Sequence, residues 1–266
     1  MNRAAARPGT SAQAAPRATA STGFGHADSL LHDVELVVFD KDGTLIDFHA
    51  MWGGWARELG DRLDAAVGRP VAGDVFAALG FDPASGRVNP GAPLATGTMS
   101  GILELVSAVI RRWCPNVPAA RRAAERAWFE PDPVTLAVPL ADLGALFGAL
   151  RRSGRRIAVA TTDDRAPTDA TLRALGVRDD VAALACGDDG FPTKPEPDAL
   201  VALCQALQVP PARTALLGDT PADLRMARAA GAGVAIGVLS GLGTAADLEP
   251  LADAVLPSIA DLIPPG

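Results

Sequence analysis

Asp40 and Asp42 stand either side of one lysine in "FDKDGTLID" (39–47), at the end of an apolar run and with Gly43 directly behind them. Three further apolar runs also end in polar residues. Thr161 and Thr162 follow "RIAVA", Asp219 follows "TALLG" with Asp223 four residues on, and Lys194 lies in the loop behind "VAALAC". Four carboxylates gathered in one cleft would repel each other and raise each other's pKa, so a site that holds them must also hold positive charge. Singly, each residue has a modest reading. Asp-Gly is a turn signal, Asp223 an ordinary acid in the first turn of a helix, and the threonines are helix caps.

What singles these residues out is the set of elements that would carry them. "VELVVF" (34–39) is a short β-branched run and reads as a buried strand. From residue 141 helix and strand alternate. "ADLGALFGALRRSG" (141–154) has helical spacing and a glycine stop, "RIAVAT" (156–161) is a strand, and "PTDATLRALG" (167–176) a helix. "VAALAC", "PDALVALCQALQ", "TALLGD", "ADLRMARAAG", "GVAIGV", "AADLEPL" and "DAVLP" continue the pattern. Such alternation predicts an α/β fold with a doubly wound parallel sheet. Ligands of that fold bind beyond the carboxyl ends of the strands, which is where the polar residues fall.

Residues 48–135 break the rhythm. "WGGWARELGDRLDAAVG" (52–68) and "MSGILELVSAVIRRW" (99–113) read as helices, with no strand signal between them. The expectation is an all-helical insertion forming a second lobe, with the core built from 33–47 and 136–266. Clefts between lobes are favoured ligand sites. His49 and Trp52, just past the first aspartates, read equally as substrate contacts or structural residues.

Composition bounds the rest. The 266 residues carry a net charge of −7, and the mean hydropathy is +0.18. The acidity argues against nucleic acid as a partner, and no apolar run is long enough to span a membrane. Three scattered cysteines form no CxxC pair and suit a reducing, cytoplasmic compartment. Residues 1–32 are rich in Ala, Arg, Ser, Thr and Pro. They read as a disordered tail, with an Arg-rich transit peptide as the other reading.

In chain order, "FDKDGT", "VATTDD", "KPEPD" and "GDTPADLRMARAAG" resemble the four motifs of the haloacid dehalogenase superfamily. The resemblance covers 34–47 and 156–256, and the insertion sits where the family carries a helical cap. It implies a Rossmann-like core and a Mg²⁺-dependent phosphatase. Asp40 would be the nucleophile that forms an aspartyl-phosphate. Asp42 would protonate the leaving oxygen, then activate water, and is the carboxyl best placed to hold a proton at neutral pH. Thr161, or Thr162 in its place, and Lys194 would hold phosphoryl oxygens, and Gly43 would let the chain turn. Asp40, the backbone carbonyl of Asp42, Asp219 and Asp223 would serve the metal, with Asp223 supporting it or orienting Lys194.

Asp42 argues against the dehalogenase and ATPase branches, which the resemblance describes as lacking an aspartate there. Neither lysine of the chain, Lys41 or Lys194, lies in the insertion, which removes phosphonate hydrolysis through a cap Schiff base. The stretch behind "GVAIGV" resembles phosphoglycolate phosphatases, so a small phosphorylated metabolite is the expected substrate. A sugar-phosphate mutase and a catalytically silent binding protein are the other readings.

Overall fold

The computed structural model describes residues 30–262 apart from 98 and 115. The expected tail therefore falls almost wholly outside the described residues. Six parallel strands form the main sheet: β1 (Leu36–Phe39), β4 (Arg156–Ala160), β5 (Ala183–Ala185), β6 (Thr214–Gly218), β7 (Val234–Val238) and β8 (Ala254–Leu256), in the order β5-β4-β1-β6-β7-β8. Every residue of β1 is buried. Side chains alternate across a strand, so Val37 and Phe39 enter one core and Leu36 and Val38 the other.

The helices that follow the strands cover both faces. Helices at Leu143–Arg152 and Arg165–Ala174 pack on the Phe39 face, and those at Asp198–Ala206 and Pro221–Ala230 on the Leu36 face. Phe39 lies opposite both Val159 and Leu217. The three central strands therefore end level, and the residues just past them emerge together at one edge. The chain runs outward from β1 to β5 on one side and from β6 to β8 on the other, so β1 and β6 flank the topological switch point.

Four longer helices, α1 (Phe48–Val67), α2 (Ala72–Leu79), α3 (Met99–Ile110) and α4 (Val117–Ala127), and one short helix at Pro93–Thr96 build the inserted lobe around its own apolar cluster. The first begins four residues before its sequence signal, because the Asp47 carboxylate accepts from the amides of His49 and Ala50 at 2.8 and 3.0 Å. The lobe is not all-helical. Phe81–Asp82 (β2) and Arg87–Val88 (β3) pair as a small antiparallel hairpin. Its turn is held by the Asp82 carboxylate, which accepts from the amide of Ala84, and by Gly86 at φ 75°. Strands of two residues are too short to show alternation. Among the described residues no helix is long and apolar enough to cross a membrane.

Order in the core also begins earlier than residue 33. Leu31 is 2% exposed and packs in the Phe39 cluster, and its carbonyl accepts from Arg155 at 2.7 Å. Leu31→Ala should destabilise the protein by about 2–5 kcal/mol in urea denaturation. A change below about 0.5 kcal/mol, the size expected for a surface position, would show that Leu31 is not packed.

Candidate active site

Burial makes charge costly at the edge where β1, β4 and β6 end. Asp40 directly follows β1, and its amide donates to the Leu217 carbonyl of β6 at 2.9 Å. Asp219 directly follows β6. Asp223 sits on the first turn of α5, as we label the helix Pro221–Ala230. All three side chains are buried, and each offers a carboxylate oxygen within 4.8 Å of the others.

Lys194 is the cation of this group. Its Nζ lies 2.5 Å from Asp40 Oδ1 and 2.7 Å from Asp223 Oδ1. Asp223 has two duties. Its Oδ2 accepts from the Thr220 amide and hydroxyl, closing a capping box on α5, while its Oδ1 faces the lysine. The modest and the functional readings of this residue thus describe its two oxygens.

Electrostatics follow from the packing. Burial would lower the Lys194 ammonium, but Asp223 and Asp40 outweigh it and hold it above the ordinary lysine range. Burial pushes Asp40 up to about 7, with Lys194 opposing and Asp223 adding to the rise. Asp219 is also driven well up, first by burial and then by Asp40 and Asp223. One ammonium therefore does not balance three carboxylates. The set is all oxygen, the donor type that hard divalent cations prefer.

Asp219 is caged by backbone. Leu242 donates its amide to Asp219 Oδ2 at 2.8 Å. A Cβ on Gly43 would stand 2.4 Å from that same oxygen, and one on Gly241 2.0 Å from it. Gly43 also has φ 87°, the left-handed region. Ser240 donates to the Gly43 carbonyl at 2.7 Å, which ties the loop behind β7 to the loop behind β1. Residues 240–243 were missed by sequence reasoning, although Ser-Gly-Leu-Gly directly behind a strand was a visible signal.

The remaining candidates sort by burial. Thr161 is buried, and its Oγ1 accepts from the Asp163 amide at 3.1 Å, while Thr162 is exposed. Both line a small cleft with Lys194, Cys186, Gly187 and Phe191. Asp42 is part-buried beside the fully buried Lys41, whose Nζ lies 2.9 Å from Asp42 Oδ2 and 3.0 Å from Asp163 Oδ2. Burial opposes the Lys41 charge, but Asp42 and Asp163 outweigh it and raise its pKa. The positive charge beside Asp42 thus comes from Lys41, a residue that sequence reasoning gave no role. Asp188 and Asp189, in the loop before Lys194, serve the fold: both accept from Arg165, and Asp189 also accepts from the Cys186 amide. His49 accepts from the Val88 amide at 3.1 Å and so ties α1 to β3. Trp52 packs between Phe48 and Trp55.

Residues 34–231 match the model of the haloacid dehalogenase-like hydrolase family. The chain is 32% identical over 200 residues to phosphoglycolate phosphatase of Rhodospirillum rubrum, covering 75% of this chain and 78% of that one. It is 30% identical over 240 residues to protein CbbY of Cereibacter sphaeroides, covering 86% and 94%. A structure of a CbbY mutant from Rhodobacter sphaeroides with xylulose-(1,5)bisphosphate superposes with a TM-score of 0.52 at 25% identity, covering 85% and 95%.

Close approach to Asp219 is testable at the two glycines. Gly43→Ala should cost more than about 1 kcal/mol in denaturant unfolding, since it adds left-handed strain to the clash. Gly241→Ala should also destabilise, through the clash alone. Unchanged stability in both would show that the Asp219 carboxylate is not held against these loops.

Proposed function

This chain belongs to the haloacid dehalogenase-like hydrolase family as a phosphatase, and we propose that it is a Mg²⁺-dependent phosphatase of a small phosphorylated metabolite, working through an aspartyl-phosphate on Asp40. The observation that carries the reading is the buried group of Asp40, Asp219 and Asp223 around Lys194 at the switch point of the sheet.

An oxygen of Asp40 attacks phosphorus opposite the leaving group. The bond from phosphorus to the leaving oxygen breaks, its electron pair stays on that oxygen, and the oxygen takes a proton from Asp42. Lys194 and Thr161 hold the phosphoryl oxygens as charge shifts onto them. Asp42, now a carboxylate, takes a proton from water as the water oxygen attacks phosphorus. The bond to Asp40 breaks, and inorganic phosphate leaves. The in-line geometry is set by positioning, which accounts for the cage around Asp219 and the level strand ends.

The carboxylate set fits Mg²⁺. Its donors are oxygens, and three buried carboxylates stand beside a single ammonium. Asp40, Asp219 and the Asp42 backbone carbonyl would hold the ion, with Asp223 keeping Lys194 beside them. Mg²⁺ would offset the charge of the carboxylates and the phosphoryl group. The lobe at 48–135 selects the substrate. The relatives support two substrate classes, phosphoglycolate and sugar bisphosphates of the xylulose-1,5-bisphosphate kind.

Phosphate release from these compounds and from hexose phosphates should show a clear preference for one class. Excess chelator should abolish turnover and Mg²⁺ restore it, while Ca²⁺ should bind yet support little, because its coordination is larger and looser. Full activity in chelator would overturn the metal assignment. Asp42→Asn should cost about 10²–10⁴-fold on an alkyl phosphate. With nitrophenyl phosphate it should give a burst of nitrophenol and then a slow steady state, whereas Asp40→Asn gives neither. Identical stopped-flow traces for the two variants would refute the division of roles.

A further inference from the structure

Lys41 is one of the largest fully buried side chains of the protein, and the reaction described above does not use it. Burying an ammonium costs several kcal/mol, and apolar replacements of buried ion pairs are often neutral or stabilising. Stability alone therefore does not explain a lysine here. Its Nζ contacts both oxygens of Asp42, at 3.0 Å to Oδ1 and 2.9 Å to Oδ2, and reaches Asp163 Oδ2 at 3.0 Å.

We propose that Lys41 is a positioning residue that clamps the Asp42 carboxylate to Asp163 and so fixes the acid–base group of the loop behind β1 against the loop behind β4. The inference rests on the reading of Asp42 as the group that serves the leaving oxygen. Contact with both oxygens sets the rotation of the ionised side chain. When one oxygen carries the proton the other still accepts from Lys41, whereas an aliphatic side chain would leave the group free to swing. Asp163 is a firm anchor for the clamp. Its amide donates to Thr161 Oγ1 at 3.1 Å, and its carbonyl accepts from the Gly187 amide at 2.8 Å. The clamp therefore refers Asp42 to the same loop that carries Thr161. Lys41 itself need not touch the substrate.

The test measures kcat/KM with Mg²⁺ for two aryl phosphates that share the phosphoryl group and differ in the basicity of the leaving oxygen. The phenolate of phenyl phosphate is as basic as tyrosinate and needs the proton, whereas nitrophenolate does not. Lys41→Met should lower kcat/KM for phenyl phosphate at least about tenfold, since misplacing a reacting group costs up to about 10²-fold, and change 4-nitrophenyl phosphate less than about threefold. Asp163→Asn should act in the same direction and more weakly. It carries the test if Lys41→Met does not fold. In an Asp42→Asn background, Lys41→Met should add no further loss on phenyl phosphate, because the carboxylate it positions is gone. Equal losses on both substrates in Lys41→Met and Asp163→Asn, or full additivity with Asp42→Asn, would overturn the positioning role while leaving the proposed reaction intact. If Asp42→Asn itself shows no preference between the two substrates, the acid role of Asp42 fails and the clamp fails with it.

Discussion

Three buried carboxylates within reach of one another cannot all stay ionised without a compensating charge, and this requirement organises the whole edge of the sheet. The chain has two lysines, and both point into this edge: part-buried Lys194 between Asp40 and Asp223, and fully buried Lys41 between Asp42 and Asp163. All other fixed positive side chains are arginines. An ammonium is a compact point charge that fits between two carboxylates, where a planar guanidinium would need more room. The backbone supplies the rest. Leu242 donates to Asp219, and the glycines at 43 and 241 let the chain close on that carboxylate. The site is thus assembled from the loops behind β1, β4, β6 and β7, and from the segment behind β5 that carries Lys194.

Much of this arrangement was legible in the sequence, because parallel strands end in a common plane. Four apolar runs with polar ends, read as strands, already brought Asp40, Thr161, Lys194 and Asp219 to one edge, and the register of Phe39 with Val159 and Leu217 accounts for it. Helix starts were blurred where a cap lay ahead of the apolar stripe, as at Asp47. The hairpin at 81–88 was hidden because two-residue strands have no period to detect. Leu31 was hidden by its neighbours, since one apolar residue beside a polar tail gives no pattern.

The roles of Lys41 and of residues 240–243 were harder to read for another reason. A lysine between two aspartates reads as a solvated charge unless the side chain's direction is known, and burial decides that question only in three dimensions. The loop behind β7 carries no titratable group, and it acts through an amide and through missing Cβ atoms. Such contributions leave glycine as their sole trace in the sequence.

The central claim is that Asp40 carries the phosphoryl group during turnover. It is tested most directly by quenching the Mg²⁺-loaded protein with acid within milliseconds of adding a hydrolysed substrate, followed by mass spectrometry of the peptide that spans residues 34–47. The account predicts one added phosphoryl group located on Asp40, present during turnover and absent from Asp40→Asn. Phosphate release with no covalent adduct at any quench time, or an adduct on a different residue, would contradict it.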